Sequence, residues 1–163
     1  MIKLDAAPLI YALKANLIPI LKKVYKEIVI TQTVFHEVVT RGKEGRHRDA
    51  FVAEKLIEIG DIIVHEDAKQ ELELGLGPGE TATIASALEE RGKALLEDMR
   101  AVRTGLRLGL NVEFLSIALL KAYQTSIITE EEFNELFENY CQVAGVSVIE
   151  RYKTQKIKEV IKK

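Results

Sequence analysis

Short apolar runs that alternate with helical patterns constrain the fold of this chain most strongly. The runs cover residues 2–4, 28–30, 62–64 and 94–96, and the second is β-branched throughout. Such runs are typical of buried strands. Residues 111–114 predict a fifth strand at an edge. Because helices separate the strands, the connections are right-handed crossovers and the strands lie parallel. The sequence therefore predicts an α/β fold with three layers, α/β/α, around a mainly parallel sheet of four to five strands.

The helices are predicted from apolar periodicity and from capping residues. Pro19 opens the second helix, and Thr31 or Thr33 caps the helix after the second strand. Thr129 and Glu132 form a capping box. Asp49 is a candidate cap, and the glycine-containing residues 41–48 before it are predicted as a polar connection. The predicted helices cover residues 7–14, 20–26, 49–59, 80–91, 99–108, 116–124 and 130–142.

The 163 residues fit one compact domain, predicted over 1–145, with a basic tail or helix over 146–163. The tail could bind RNA, dock on a partner or pack back on the domain. The formal net charge is only −2, so any nucleic-acid contact must come from local patches. No apolar stretch approaches the roughly 20 residues of a membrane span, and the single cysteine, Cys141, indicates a reducing compartment. We expect a cytoplasmic protein with no membrane partner.

Acidic residues fall where an α/β sheet places its sites, outside the carboxyl ends of the strands. Asp5 follows the first strand, and Glu97 and Asp98 follow the fourth. Glu80 begins a helix after a Gly-Pro-Gly turn, and Glu37 lies about two turns into a helix. These acids converge on one rim if the first and fourth strands are neighbours. Taken singly, each acid could instead be a helix cap, a complement to a helix dipole or a solvated surface group.

A cluster of three or four carboxylates favours a bound cation, because the negative charges repel and raise one another's pKa values. Hard divalent ions such as Mg²⁺ or Mn²⁺ prefer all-oxygen sites and retain waters for a substrate phosphate. Such ions assist in-line displacement at phosphorus. The chemistry indicated is hydrolysis of phosphodiester bonds.

Three stretches, residues 4–39, 76–92 and 94–112, resemble a PIN domain, the nuclease fold of VapC-type toxins, with a looser likeness to about residue 145. The specific features are the Asp-x-x-Pro-Leu-Ile start, the helix acid after a β-branched strand and the Gly-x-Gly-Glu turn. The closer similarity is to a subgroup of prokaryotic PIN-domain proteins of mostly unassigned biology. On this resemblance, Asp5, Glu37 and Glu80 fall on the acidic metal positions of the family, and Asp98 or Glu97 takes the fourth.

The resemblance implies a divalent-metal-dependent endoribonuclease that leaves 5′-phosphate and 3′-hydroxyl ends. It also implies a toxin role with a small antitoxin partner, and a homodimer. In this reading Asp5, Glu80 and Asp98 (or Glu97) hold Mg²⁺ or Mn²⁺, and Glu37 completes the cluster or orients the attacking water. The sequence departs from the family at Ala6 and Ala7, which supply no hydroxyl, and at residues 113–116, which replace a Gly-Thr turn. These departures motivate an alternative, a degenerate PIN fold that binds RNA or a protein without cutting.

Basic residues supply candidate RNA contacts, because cationic groups bind phosphates without reading sequence. One group lies in the polar connection, which could equally be a solvated loop; its members are Arg41, Lys43, Arg46 and Arg48. The other group, Arg100 and Arg103, follows the acids after the fourth strand and could pair with those acids instead of binding RNA.

Overall fold

A computed structural model describes residues 1–161 as a five-stranded, all-parallel sheet with helices on both faces. The strands are β1 (Ile2–Leu4), β2 (Ile28–Thr31), β3 (Ile63–His65), β4 (Lys93–Leu95) and β5 (Asn111–Glu113). Their order in the sheet is β3-β2-β1-β4-β5. The predicted α/β class is confirmed, as is the predicted edge position of the fifth strand. Because β1 lies beside β4, the acids that follow these two strands lie at the same edge of the sheet.

The helices account for most of the remaining described chain. They are α1 (Ala6–Lys14), α2 (Ile18–Tyr25), α3 (Gln32–Phe35), a π-helical turn (His36–Thr40), α4 (Arg41–Glu44), α5 (Arg48–Glu58), α6 (Pro78–Glu89), α7 (Met99–Arg107), α8 (Leu115–Gln124), α9 (Glu130–Ala144) and α10 (Val148–Ile161). Within the described residues, no helix is long and apolar enough to cross a membrane.

Alternating side chains on the strands build a separate core on each face of the sheet. Ile2 and Leu4 of β1 join the larger core, which contains residues of α1, α2, α8 and α9. Ala94 of β4 joins the smaller core, which contains residues of α6 and α7. Lys3, fully buried between Ile2 and Leu4, forms an ion pair with Glu90 (Nζ to Oε1, 3.0 Å). Both faces of the sheet are therefore covered, as expected for parallel strands.

Local capping largely follows the predictions. Pro19 lies in the first turn of α2, and the Thr31 hydroxyl accepts a hydrogen bond from the Val34 N–H at 3.3 Å. The Thr129–Glu132 capping box is present at the start of α9, with the two hydrogen bonds at 2.7 and 3.2 Å. These short-range hydrogen bonds explain why the sequence locates the helix starts well.

The predicted polar connection over residues 41–48 is partly wrong, because the chain stays helical through α4 before it turns. Gly42, one of the two glycines of this segment, marks a close helix contact. A β-carbon on Gly42 would lie 2.8 Å from the β-carbon of Ala50 in α5. His47 occupies the N-cap position of α5, where Asp49 was expected, and Asp49 lies in the first turn. A negative charge there still complements the helix dipole.

The helix α10 packs back on the body of the domain. Thr154 and Lys158 are buried, and the Lys158 ammonium donates to Asn134 of α9 at 2.8 Å. Ile161 packs against the larger core. The division of the chain at residue 145 stays a prediction, and residues 162 and 163 of the predicted tail lie outside the described residues.

Candidate active site

Asp5 is the central acid of the candidate site. It follows β1 directly, occupies the N-cap position of α1 and is only 5% exposed. The pKa of its carboxyl group is raised from 3.8 to about 6, and burial is the largest cause. The Ala6 backbone N–H acts in the opposite direction, whereas the negative charges of Glu80, Glu37 and Asp98 add to the rise. Four carboxylates far apart in the sequence therefore interact electrostatically at one end of the sheet.

Glu37 reaches the site from the π-helical turn. Such turns insert one residue into a helix and are frequent at functional sites. The Gly79 N–H, at the start of α6, donates to Oε1 of Glu37 at 3.2 Å. A β-carbon on Gly79 would overlap Oε2 of Glu37 and lie 3.1 Å from Oδ1 of Asp5. Gly79 is thus the position where the two carboxylates and a helix N-terminus meet without room for a side chain.

Glu80 is held at the beginning of α6 by its own turn. Its Oε2 accepts a hydrogen bond from the Gly77 N–H at 2.9 Å. The same turn is tied to α7, because the Arg100 guanidinium donates to the Gly75 carbonyl at 2.9 Å. Glu80 therefore caps the start of α6, and its charge also acts on Asp5.

The two consecutive acids after β4 have different surroundings. Oδ1 of Asp98 accepts hydrogen bonds from the N–H groups of Arg100 (2.8 Å) and Ala101 (3.0 Å), so Asp98 caps α7 while its charge acts on Asp5. Glu97 instead accepts from the Leu115 N–H at 2.9 Å and from the Tyr140 hydroxyl at 2.8 Å.

The charge of Glu97 is not among the largest influences on the pKa of Asp5, whereas the charge of Asp98 is. Burial raises the pKa of Glu97 itself; the hydrogen bonds from Leu115 and Tyr140 lower it, and Glu150 raises it. The same burial and the adjacent Glu97 raise the pKa of the Tyr140 phenol. Glu97 therefore belongs to a carboxylate–phenol pair directed toward α8 and α9.

The donor chemistry of the acid cluster fits a hard divalent ion, because all the candidate ligands are carboxylate oxygens. The raised pKa of Asp5 fits as well, since it reflects first the burial of this carboxyl group and then the negative charges of Glu80, Glu37 and Asp98, both of which a cation would offset. Over residues 1–161, however, no three His, Cys, Asp or Glu side chains stand in a ready-made ligand arrangement. Backbone N–H groups hold one oxygen of Glu37, Glu80 and Asp98 at fixed places, so metal ligation would require side-chain adjustment around Asp5.

The candidate RNA contacts have different local partners. Lys43 is engaged by both carboxylate oxygens of Glu54, at 2.6 and 2.8 Å. Arg100 donates to the turn before α6, as described above. Arg41 lies one helical turn after Glu37 and lines two clefts that border it. Arg46, Arg48 and Arg103 are exposed.

The sequence reasoning did not single out Gly79 or Tyr140. Gly79 could have been noticed, because it directly precedes the candidate acid Glu80 in a glycine-rich turn. Tyr140 carries no such signal, since it is 43 residues away from the carboxylate that it contacts.

Carboxylates gathered at the strand ends of a parallel α/β sheet define the general class, an α/β protein with a site at the carboxyl edge. A family model described as a PIN domain matches residues 1–162. The chain belongs to the PIN-domain family. PIN domains are generally nucleases and generally use divalent metals. No curated protein and no solved structure gives a significant match.

Proposed function

We propose that this chain is a divalent-metal-dependent ribonuclease that hydrolyses RNA phosphodiester bonds. The observation that carries the proposal is the buried Asp5, whose pKa is raised by burial and by the charges of three further acids. A nuclease that uses a divalent cation needs such a concentration of oxygen ligands, and membership of the PIN-domain family supports this assignment.

In this proposal, Asp5, Glu80 and Asp98 hold Mg²⁺ or Mn²⁺. When bound, the ion would lower the pKa of water and neutralise charge on the substrate phosphate. Glu37 either completes the cluster or orients the water that attacks phosphorus. The Gly79 N–H fixes one oxygen of Glu37 and leaves the other directed to the same space as Asp5.

Asp98 is the better candidate than Glu97 for the fourth acid. Its charge acts on Asp5, whereas both oxygens of Glu97 already accept hydrogen bonds from Leu115 and Tyr140. The pair of consecutive acids therefore supplies an internal comparison: substitution of Asp98 should impair catalysis much more than substitution of Glu97.

The test is cleavage of RNA by the purified chain in the presence of Mn²⁺ or Mg²⁺. We expect Asp5→Asn and Asp98→Asn to reduce cleavage at least 100-fold while circular dichroism shows an intact fold. Glu97→Gln is the matched control and should retain most of the activity. Cleavage that survives both Asp5→Asn and EDTA would overturn the site.

A second candidate function is a PIN fold that binds RNA or a protein without cutting it. Two observations favour it: Ala6 and Ala7 supply no hydroxyl next to Asp5, and the described residues contain no ready-made three-ligand set. Metal titration separates the candidates. At 10 mM Mn²⁺, a site with millimolar affinity should stabilise the folded chain by about 1.4 kcal/mol, measured as a rise in Tm, whereas a binding module without a metal site should show no rise.

The biological role is a further proposal, added to the nuclease proposal, that rests on the resemblance to VapC-type toxins. We propose a cytoplasmic toxin whose activity a small antitoxin protein blocks, and which forms a homodimer. Expression of the chain alone should arrest growth, and co-expression of a neighbouring small reading frame should relieve the arrest. If Asp5→Asn arrests growth as strongly as the original chain, RNA hydrolysis is not the cause of toxicity.

A further inference from the structure

A cleft of about 320 Å³ lies beside the acid cluster, between α1, the π-helical turn, α4 and α5. Its volume is at the lower end of the range typical of small-molecule sites. The cleft shares Glu37 with the acid cluster, so a ligand in it would lie next to the candidate catalytic centre. Its other principal lining residues are Ile10, Lys14, Val38, Arg41, His47 and Ala50.

The cleft has an apolar floor and a charged rim, where Lys14, Arg41 and His47 lie together with the acids Glu37 and Asp49. Ile10, Val38 and Ala50 supply the floor, and Val38 and Ala50 are buried. Apolar surface of this kind accommodates a ribose or the face of a base, and cationic groups at the rim suit a phosphate. The combination is the chemistry of a nucleotide, and it differs from that of a purely apolar groove.

Arg41 is the cation best placed to bind a phosphate there. Its guanidinium group is exposed and forms no hydrogen bond or ion pair with any residue in the described range 1–161. Lys14 also lines the cleft, but its ammonium lies 3.6 Å from Asp49, and that acid lines the cleft as well. Lys43, in the same helix as Arg41, is held by Glu54 and is absent from the lining.

Glu37 and Arg41 also line a second cleft of about 320 Å³, which contains His36 and Pro78. The two clefts flank the same pair of residues. A single strand that crosses the acid cluster would therefore find a space for a nucleotide on each side of Glu37.

We propose that the cleft lined by Lys14, Arg41 and His47 binds the nucleotide next to the cleaved phosphate of a single-stranded RNA, with Arg41 on its phosphate group. This inference rests on the proposed ribonuclease function. It adds a defined binding site, and it distinguishes Arg41 from the other basic residues of the same segment.

The first experiment measures binding of a fluorescein-labelled 2′-O-methyl oligoribonucleotide to the full chain in EDTA, by fluorescence anisotropy over a range of salt concentrations. We expect Arg41→Gln to weaken binding about tenfold. It should also reduce the slope of log affinity against log salt by about 0.7, the loss of one phosphate contact to a single strand. Arg107→Gln, at an exposed arginine near the end of α7, is the charge-matched control and should leave the affinity within twofold. Arg48→Gln tests the alternative that RNA binds to exposed basic residues in general and not to the cleft. If Arg48→Gln weakens binding as much as Arg41→Gln does, the proposal that the cleft binds the nucleotide is refuted.

The second experiment compares adenosine 5′-monophosphate with inorganic phosphate in ¹H–¹⁵N correlation spectra. The nucleotide should bind at least fivefold more tightly, and its chemical-shift changes should centre on residues 38–50 and disappear in Arg41→Gln. Equal affinity for the two probes would show that the apolar floor is not used and would overturn the assignment.

These measurements need no catalysis, so the ribonuclease proposal and the nucleotide-site proposal can be refuted separately. If RNA binding depends on Arg41 but no metal-dependent cleavage occurs, the ribonuclease proposal is refuted and the nucleotide site stands. If cleavage depends on Asp5 but RNA binding does not depend on Arg41, only the nucleotide-site proposal is refuted.

Discussion

Replacing Asp5 by asparagine should stabilise the metal-free protein at neutral and alkaline pH. A rise in pKa from 3.8 to about 6 means that ionising this buried carboxyl group costs about 3 kcal/mol in the folded protein, at about 1.4 kcal/mol per pKa unit. Asparagine has nearly the same shape and is never ionised.

The sign of the pH dependence follows from proton binding. Between pH 4 and pH 6 the folded chain holds a proton on Asp5 that the unfolded chain has released, so the stability of the original protein falls as the pH rises through this window. Asp5→Asn removes that dependence. We expect the variant and the original chain to be about equally stable at pH 4, and the variant to gain up to about 3 kcal/mol at pH 8.

The assay is urea unfolding in EDTA, followed by circular dichroism at pH 4, 6 and 8. Glu71→Gln, at an exposed acid in the loop before α6, is the control and should change stability little at any of these pH values. If Asp5→Asn destabilises the protein at pH 8, or stabilises it equally at pH 4 and pH 8, then Asp5 does not carry the uncompensated charge inferred above.

Two further substitutions test other contacts of the site. Gly79→Ala should lower Mn²⁺ affinity, measured by calorimetry, because the new methyl group overlaps Oε2 of Glu37 and displaces that carboxylate from its place beside Asp5; unchanged affinity would contradict this. Its effect on folding stability should be small, since the end of the flexible Glu37 side chain can move. Tyr140→Phe should raise the pKa of Glu97, because it removes the hydrogen bond that the Tyr140 hydroxyl donates to this carboxylate; ¹³C NMR of the carboxyl group measures the change. The substitution should cost about 1–3 kcal/mol of stability and leave RNA cleavage near its original rate. A large loss of cleavage would return Glu97 to the candidate metal ligands.

Much of the fold could be predicted because its signals are local. The β-branched run at residues 28–30 and the alternation of strands with helices are enough to predict a parallel sheet. Asp5 follows β1 directly, and Asp98 follows β4 after a short turn, so adjacency of the two strands brings both acids to one edge. Whether β1 and β4 are neighbours in the sheet depends on contacts between residues far apart in the sequence. The sequence therefore predicts the shared edge only on the condition that these two strands are adjacent.

The sequence favours Asp98 only slightly over Glu97, because the difference between their surroundings depends on groups distant in the chain. The Leu115 N–H and the Tyr140 hydroxyl, 18 and 43 residues away, hold Glu97 away from the cluster. Spacing along the sequence carries no information on such partners. The continuation of the helix through α4 was missed for a related reason: Gly42 is a turn signal in isolation, and only its packing on Ala50 explains it.

The π-helical turn at His36–Thr40 has a consequence for insertions and deletions. Each residue of an α-helix rotates the following side chains by about 100°. Removing one residue just before Glu37 would let the segment relax into a regular helix, but it would rotate Glu37, Val38 and Val39 by the same angle. The carboxylate would point along another direction and lose the Gly79 N–H. Such a shortened chain would lose one acid of the cluster without any change in that acid's identity, and the buried Val38 and Val39 would have to repack.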